Sequence, residues 1–155
     1  MDYIRSAAEE PDPTAASACV FCGLPESDEA ARIMAGTELA YAVLNKFPYN
    51  PGHLLVVPRR HTGDVEALTA QENAELQDLL QRCVRALREE SGPHGFNIGM
   101  NLGAVAGAGI PDHLHWHVIP RWSGDTNFMP VVGETRVLPE LLEETARRLA
   151  PRFAS

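Results

Sequence analysis

Short apolar runs separated by turn-forming residues occupy the middle of the chain and predict four β-strands. The runs cover 38–45, 53–58, 96–101 and 113–120. The first two contain β-branched residues and flank the turn-rich segment 46–52, which is typical of two strands joined by a structured loop. The last two runs flank a segment rich in Gly and Ala, 102–110.

A helical period replaces this pattern in two segments. Thr69 and Glu72 form a capping box, and apolar residues then recur every three or four positions until Ser91-Gly92-Pro93. Cys83 lies on this apolar stripe and is interpreted as a core residue. A second helix is predicted over about 138–149. Strands grouped around one long helix, without regular βαβ alternation, predict an α+β fold with an antiparallel sheet.

The length of 155 residues and the hydrophobic content of 45% fit one domain with an ordinary core. Residues 1–17 are rich in Ala, Glu, Pro and Ser and are predicted to form a flexible arm ahead of a domain over 18–155. No apolar run approaches the roughly 18 residues of a membrane span, and the N-terminus lacks a signal-peptide pattern. We therefore expect a cytoplasmic protein whose three cysteines are thiols or metal ligands.

The net charge of −8 argues against a surface that coats nucleic acid, and no membrane partner is expected. A small anionic ligand stays compatible with this charge, because a local group of cations can outweigh the global field at short range. The candidate cations are Lys46, Arg59, Arg60 and Arg121. The sequence thus predicts a small phosphorylated substrate.

Three histidines alternate along the last apolar run, at His113, His115 and His117. Side chains two apart on a β-strand point to the same face, so this spacing predicts three aligned imidazoles with the intervening apolar residues buried opposite. Imidazole can attack phosphorus, can transfer protons near neutral pH, and binds zinc when neutral. Incidental histidines in an ordinary strand are the alternative, although burying several imidazoles without a use for them is unfavourable.

The stretch from His113 to Ile119 resembles the His-x-His-x-His-x-x signature of the histidine triad superfamily, which contains nucleotide hydrolases and nucleotidyl transferases. Asn45, Pro51-Gly52-His53 and 97–103 fall in the order and spacing of that family. The resemblance covers about Cys19 to Phe128. It implies a fold like that of the family, with an antiparallel sheet of about five strands and two main helices, and a homodimer.

Within the superfamily, 47–53 and 113–122 are most similar to the branch that acts on diadenosine polyphosphates. This resemblance implies cleavage at the α-phosphate, with phosphorolysis of diadenosine tetraphosphate as the expected reaction. In the family's mechanism the position of His115 attacks the α-phosphorus, and a backbone carbonyl accepts a hydrogen bond from its other ring nitrogen. His117 and His53 would then bind phosphate oxygens or carry protons.

The resemblance also implies which residues hold the substrate. Asn101 matches an amide that contacts phosphate or the leaving group, Asn45 matches a ribose ligand, and Val20 and Phe21 match apolar positions that stack on the base. A hydrogen bond within a loop is the alternative role for His53 and Asn45.

One departure from the family pattern concerns the residues just before the triad. Other branches carry Gln-Ser where this chain has Gly109-Ile110. Backbone N–H groups of the Gly-rich segment 103–109 would have to bind the oxyanions instead. This departure puts the phosphoramidate-cleaving activity of those branches in doubt, although a hydrolase or phosphoramidase stays an alternative.

Cys19-Val20-Phe21-Cys22 is a second motif. Some proteins similar to this one bind zinc at the positions of Cys19, Cys22, His61 and His113, and four protein ligands give a structural site without an open position. A reduced pair without metal and a redox motif are the alternatives.

Two other functional classes stay open. The first is a catalytic zinc hydrolase in which His113, His115 and His117 bind one metal ion. The second is a nucleotide-binding protein without turnover, which has no need of a nucleophile at His115.

Overall fold

The computed structural model describes residues 18–125 and 141–154, and five antiparallel strands form its sheet. The order across the sheet is β1-β2-β3-β5-β4, and every neighbouring pair is antiparallel. The strands are β1 Ile33–Gly36, β2 Ala40–Leu44, β3 Leu54–Pro58, β4 Gly95–Gly99 and β5 Trp116–Arg121. The predicted α+β fold with an antiparallel sheet of about five strands is confirmed.

Three α-helices accompany the sheet in the described residues. They are α1 Val20–Gly23, α2 Ala70–Ser91 and α3 Leu142–Leu149. Short 3₁₀ turns cover Leu24–Glu26, Asp28–Arg32, Val65–Ala67, Ala104–Ala106 and Ala150–Phe153. The predicted arm over 1–17, and the start of the second helix at 138–140, lie outside the described residues.

The long helix α2 begins and ends where the sequence predicts. The Thr69 hydroxyl accepts from the Glu72 N–H at 3.1 Å, and the Glu72 carboxylate accepts from the Thr69 N–H at 2.8 Å. Gly92 ends the helix with φ of 54°, a left-handed conformation that glycine adopts without steric cost.

Both faces of the sheet are covered, which explains why every residue of β2 and β3 is buried. Alternate residues such as Ala42 and Val56 pack against α2, whose Cys83 is fully buried in that core as predicted. The other alternate residues pack against the N-terminal segment 18–24. Side chains of one strand thus enter two separate cores, one on each face.

The structure corrects the predicted strands at two places. The last strand begins at Trp116 and not at His113, because the N–H of Leu114 donates to Thr62 O at 2.7 Å instead of joining the ladder. The short strand β1, Ile33–Gly36, was not predicted, since four residues with an irregular register carry no clear alternation. Over 18–125 and 141–154, no helix combines the length and the apolar character needed to cross a membrane.

Candidate active site

His53, His115 and His117 lie together on the face of the sheet that the N-terminal segment covers. His53 immediately precedes β3, and His117 lies in β5 opposite Leu55 of β3. His115 precedes β5, and its ring centroid is 5.1 Å from that of His117. The pairing of β3 with β5 thus brings His53 next to His115 and His117, which lie 62 and 64 positions later in the sequence.

The ring nitrogens of His115 have different roles. Nδ1 lies 2.9 Å from the backbone oxygen of His113, and a carbonyl oxygen only accepts, so Nδ1 carries the hydrogen. In the neutral ring, Nε2 therefore has the free lone pair. Burial lowers the pKa of His115, which keeps this nitrogen unprotonated and nucleophilic at neutral pH.

The tautomer of His117 is set by a chain of hydrogen bonds. The backbone N–H of Tyr49 donates to Nδ1 of His53 at 3.1 Å, so the hydrogen of His53 is on Nε2. Nε2 of His53 then donates to Nδ1 of His117 at 2.9 Å. His117 therefore carries its hydrogen on Nε2, where it is a donor.

Burial keeps the hydrogen-bonded rings of His53 and His117 neutral. It lowers the pKa of His53 to about 3, with smaller effects of His117 and His115. It lowers the pKa of His117 to about 4, again with a smaller effect of His115. The site therefore offers one nucleophilic nitrogen on His115 and one neutral donor on His117 at neutral pH.

His53 lies beneath the surface of the site. It is fully buried, and its single N–H is used on His117. His53 thus holds His117 instead of adding a second donor toward a phosphate. The loop hydrogen bond considered as its alternative role is present as well, since Tyr49 donates to it.

Two aromatic rings flank the pair of His115 and His117. The buried ring of Phe21 lies 5.1 Å from His115 and 5.4 Å from His113. The ring of Tyr49 stacks on His53 with 5.1 Å between centroids and lies 6.3 Å from His117. The sequence analysis did not identify Tyr49 as a site residue. Its position four residues before His53, in a loop flanked by prolines, is the only sign in the sequence that it lies at the site.

The predicted substrate ligands occupy loops around these rings. The side-chain oxygen Oδ1 of Asn45 accepts from the Phe47 N–H, and its side-chain nitrogen Nδ2 contacts Nδ1 of His53 at 3.3 Å. The Asn101 amide donates to Gly107 O at 3.2 Å and is exposed. Val20 and Gly109, which complete the predicted set, are exposed.

The structure does not bring the four predicted cations together. Lys46 pairs with Glu29 at 2.6 Å, and Arg121 pairs with Asp125 at 2.6 Å. The other two follow β3 at the opposite end of the sheet, where Arg60 pairs with Glu72 and Arg59 donates to Thr37 O. The predicted cationic cluster is therefore wrong, because these side chains bind partners of their own.

His113 faces a different group of side chains from the other two triad histidines. The ligand atoms of Cys19, Cys22, His61 and His113 all lie within 4.8 Å of one another. The predicted alignment of three imidazoles on one strand face is thus wrong for His113, because its Nδ1 faces the sulfur atoms of Cys19 and Cys22.

The distances in this cluster fit a tetrahedral metal site. Nδ1 of His113 lies 3.3 Å from Sγ of Cys19 and 3.5 Å from Sγ of Cys22, and Nδ1 of His61 lies 3.4 Å from Sγ of Cys22. Zinc bonds of ~2.3 Å to sulfur and ~2.0–2.1 Å to nitrogen place tetrahedral ligands about 3.6 Å apart. The four residues are therefore placed to bind a metal ion.

The orientation of His113 supports the same conclusion. Its Nε2 donates to Pro58 O at 2.8 Å, so the lone pair is on Nδ1, which faces both sulfur atoms. Burial and the neighbouring Cys19 raise the pKa of Cys22 to about 11, and a cation is what would favour its thiolate.

This geometry contradicts a catalytic zinc site on the three triad histidines. His115 uses Nδ1 on a carbonyl oxygen, and His117 uses Nδ1 on His53. His113 points its Nδ1 at the cysteines. In the described part of the chain, the group that is placed to bind a metal ion is the cluster of Cys19, Cys22, His61 and His113.

Comparisons with known proteins agree with the sequence signature. A family model described as the HIT domain matches residues 26–124. The AP-4-A phosphorylase of Mycobacterium tuberculosis is 46% identical over 157 residues, which cover 99% of this chain and 80% of that protein. An adenosine 5'-monophosphoramidase of Schizosaccharomyces pombe is 31% identical over 103 residues, covering 66% of this chain and 74% of that protein.

A solved structure shares the fold. A zinc-bound histidine triad family protein from Mycobacterium smegmatis superposes with a TM-score of 0.74 at 32% identity. The match covers 90% of this chain and 96% of that chain.

Proposed function

Because this chain belongs to the HIT domain family, we propose that it is a nucleotidyl transferase that cleaves diadenosine tetraphosphate at an α-phosphate. Inorganic phosphate is the acceptor, and the products are ATP and ADP. The similarity to an AP-4-A phosphorylase over 99% of the chain supports this substrate.

The hydrogen bond from Nδ1 of His115 to His113 O is the observation that carries the proposal. It leaves Nε2 of His115 free to form a bond to the α-phosphorus while the bond from that phosphorus to the bridging oxygen breaks and ATP leaves. The carbonyl oxygen also stabilises the positive charge that the ring gains in the intermediate. One displacement on phosphorus is replaced by two easier ones.

His117 is the proposed donor to the reacting phosphate, since its Nε2 carries the hydrogen. Asn101 and the N–H groups of 103–109 are proposed to bind phosphate oxygens as that loop lies beside Asn101. Asn45 is the proposed ribose ligand, and Val20, Phe21 and Gly109 complete the proposed nucleotide pocket.

Phosphate is a suitable second nucleophile for a chemical reason. It attacks the nucleotidyl-histidine from the side that the leaving polyphosphate has vacated, so a pocket built for phosphate oxygens also admits inorganic phosphate. Attack by water in its place gives AMP, and we expect that reaction to be slower.

The test of this proposal uses labelled inorganic phosphate with diadenosine tetraphosphate. We expect equal amounts of ATP and ADP, with the label in the β-phosphate of ADP. If AMP remains the only product besides ATP at phosphate concentrations in the millimolar range, the enzyme is a hydrolase. An adenosine phosphoramidate assayed in parallel shows whether the phosphoramidase reaction of the fission yeast relative is shared.

Cys19, Cys22, His61 and His113 are the proposed ligands of one zinc ion. Its chemistry would be structural, since four protein ligands complete a tetrahedral site. The zinc-bound neighbour from Mycobacterium smegmatis supports this identity of the metal. All three cysteines are unpaired, which fits the reducing cytoplasm that we propose as the location.

A homodimer is the proposed assembly, with β4 as its contact. This strand is at the edge of the sheet, and its Ile98 is 44% exposed. Unpaired backbone groups on an edge strand can extend a sheet into a second copy. Ile98→Lys should therefore yield a monomer in analytical ultracentrifugation, and a wild-type monomer at micromolar concentration would contradict the proposal.

A further inference from the structure

Tyr49 lies at the rim of the histidine site with most of its ring in solvent. Tyr49 is 66% exposed, although one face of its ring stacks on the fully buried His53 at an interplanar angle of 23°. An aromatic ring held in this way presents its other face to a ligand.

The residues that follow Tyr49 fix the loop that carries it. The Asn50 amide donates to Pro120 O and to the Asp125 carboxylate, both at 2.9 Å. Gly52 has φ of +81°, and a Cβ at that position would come within 2.8 Å of Leu87, so another residue would disturb the turn. The ring of Tyr49 is therefore held in place before a ligand arrives, which lowers the entropic cost of stacking on it.

The two aromatic rings contact different members of the histidine pair. Phe21 contacts His115, the nucleophile of the proposed reaction, whereas Tyr49 lies 6.3 Å from His117, the proposed donor. In an in-line displacement the leaving group departs on the side of phosphorus opposite the attacking nitrogen. The side away from His115 is thus the side from which the rest of the dinucleotide must extend.

We propose that Tyr49 is a specificity-determining residue that stacks on the base of the departing nucleotide. This inference rests on the proposed function, because it requires a substrate with a second nucleoside beyond the cleaved phosphate. Stacking of a base on an aromatic ring depends little on base identity, so the preference is for the presence of a second base and not for adenine.

The test compares diadenosine tetraphosphate with adenosine 5'-tetraphosphate, which lacks the second nucleoside and carries one more ionisable oxygen on its terminal phosphate. Attack at the α-phosphate releases ATP from diadenosine tetraphosphate and tripolyphosphate from adenosine 5'-tetraphosphate. The quantity measured is the ratio of their kcat/KM values. We expect Tyr49→Ala and Tyr49→Leu to lower this ratio at least about fivefold, since base stacking is worth about 1–3 kcal/mol. Tyr49→Phe, which keeps the ring, is the matched control and should keep the ratio.

The ratio separates stacking from an effect through His53. Loss of support for His53 lowers kcat/KM for both substrates by the same factor, and such a result would overturn the inference. An unchanged ratio in Tyr49→Ala and Tyr49→Leu would overturn it as well, because the charge difference between the two substrates is the same in every variant. If the wild-type protein cleaves neither substrate at the α-phosphate, it is the proposed function that fails.

Discussion

The Nε2–H of His53 donates to Nδ1 of His117 across 2.9 Å, so one buried imidazole decides which nitrogen of the other carries the hydrogen. The direction of this bond comes from the Tyr49 N–H, which occupies the other nitrogen of His53. A neutral histidine without such a partner exchanges between its two tautomers. The site avoids that exchange because the hydrogen-bond chain begins at the backbone N–H of Tyr49, which can only donate.

Two substitutions at His53 should separate this role from simple packing. His53→Gln keeps an N–H near the position of Nε2, whereas His53→Leu removes it. We expect kcat to fall on the order of a hundredfold in His53→Leu, in the range of lost acid–base assistance, and less in His53→Gln. Steady-state kinetics of both variants decides the matter, and equal losses would contradict the donor role.

The depressed pKa values of this pair also predict how stability depends on pH. The pKa is about 3 for His53 and about 4 for His117 in the fold, against 6.5 in the unfolded chain. The unfolded state therefore binds more protons as pH falls below 6.5, and the free energy of unfolding decreases by up to about 1.4 kcal/mol per pH unit for each histidine.

Urea denaturation between pH 6.5 and 5 measures this slope before ordinary carboxylates titrate. His53→Gln removes one titrating group, so its slope should be shallower by about 1.4 kcal/mol per pH unit near pH 5. Parallel curves for variant and wild type would mean that His53 is protonated in the folded protein.

His115→Ala tests the nucleophile. The substitution removes the atom that bonds to phosphorus but few contacts to the bound nucleotide, so turnover should fall by several orders of magnitude with little change in affinity. His94→Ala is a matched control, because that histidine is exposed and contacts Ser123. Retention of more than about a tenth of the activity, a loss of only ~1.4 kcal/mol, would rule out covalent catalysis by His115.

Cys22→Ser tests the metal site. We expect one zinc ion per chain in protein purified without chelator, and loss of that ion in the variant with a lower melting temperature. Cys83→Ala is the matched control, since Cys83 is a core residue of α2 outside the metal cluster, and this variant should keep the metal. Elemental analysis gives the content directly. A metal-free wild-type preparation in which Cys19 and Cys22 titrate freely would contradict the site.

Glu72→Ala should be more damaging to the fold than Thr69→Ala. The cap alone is worth about 1 kcal/mol. Glu72 adds two hydrogen bonds from Arg60, at 2.7 and 2.9 Å, to its bond from the Thr69 N–H. Its removal leaves the start of α2 without either contact. Equal losses in the free energy of unfolding would show that the pair with Arg60 contributes nothing.

The sequence predicts those features of the fold that depend on short-range periodicity. The ends of α2 are encoded within four residues at Thr69 to Glu72 and by Gly92, so the prediction was confirmed at both ends. The strand that carries His117 also follows from alternation, but the residue at which that strand begins does not. Leu114 leaves the ladder because of Thr62, a partner 52 positions earlier whose location only the fold decides.

The same limit applies to the candidate site. The cationic cluster was wrong because the partners of Lys46 and Arg60 are carboxylates 17 and 12 positions away, and their proximity depends on loop geometry. The metal ligands, by contrast, were brought together as the resemblance implied. Tyr49 has no spacing rule that would identify it, since its contact with His53 arises from the turn between them.

The pairing of Lys46 with Glu29 and of Arg121 with Asp125 has a consequence for binding in salt solutions. With these cations neutralised by carboxylates, the polyphosphate is met by neutral imidazoles and N–H dipoles, which act at short range. A chain of net charge −8 then repels its tetra-anionic substrate from a distance. Raising KCl from about 20 to about 200 mM screens that repulsion, so kcat/KM should not decrease at the higher ionic strength. A phosphate pocket lined by lysines would show the reverse, a kcat/KM that falls with added salt.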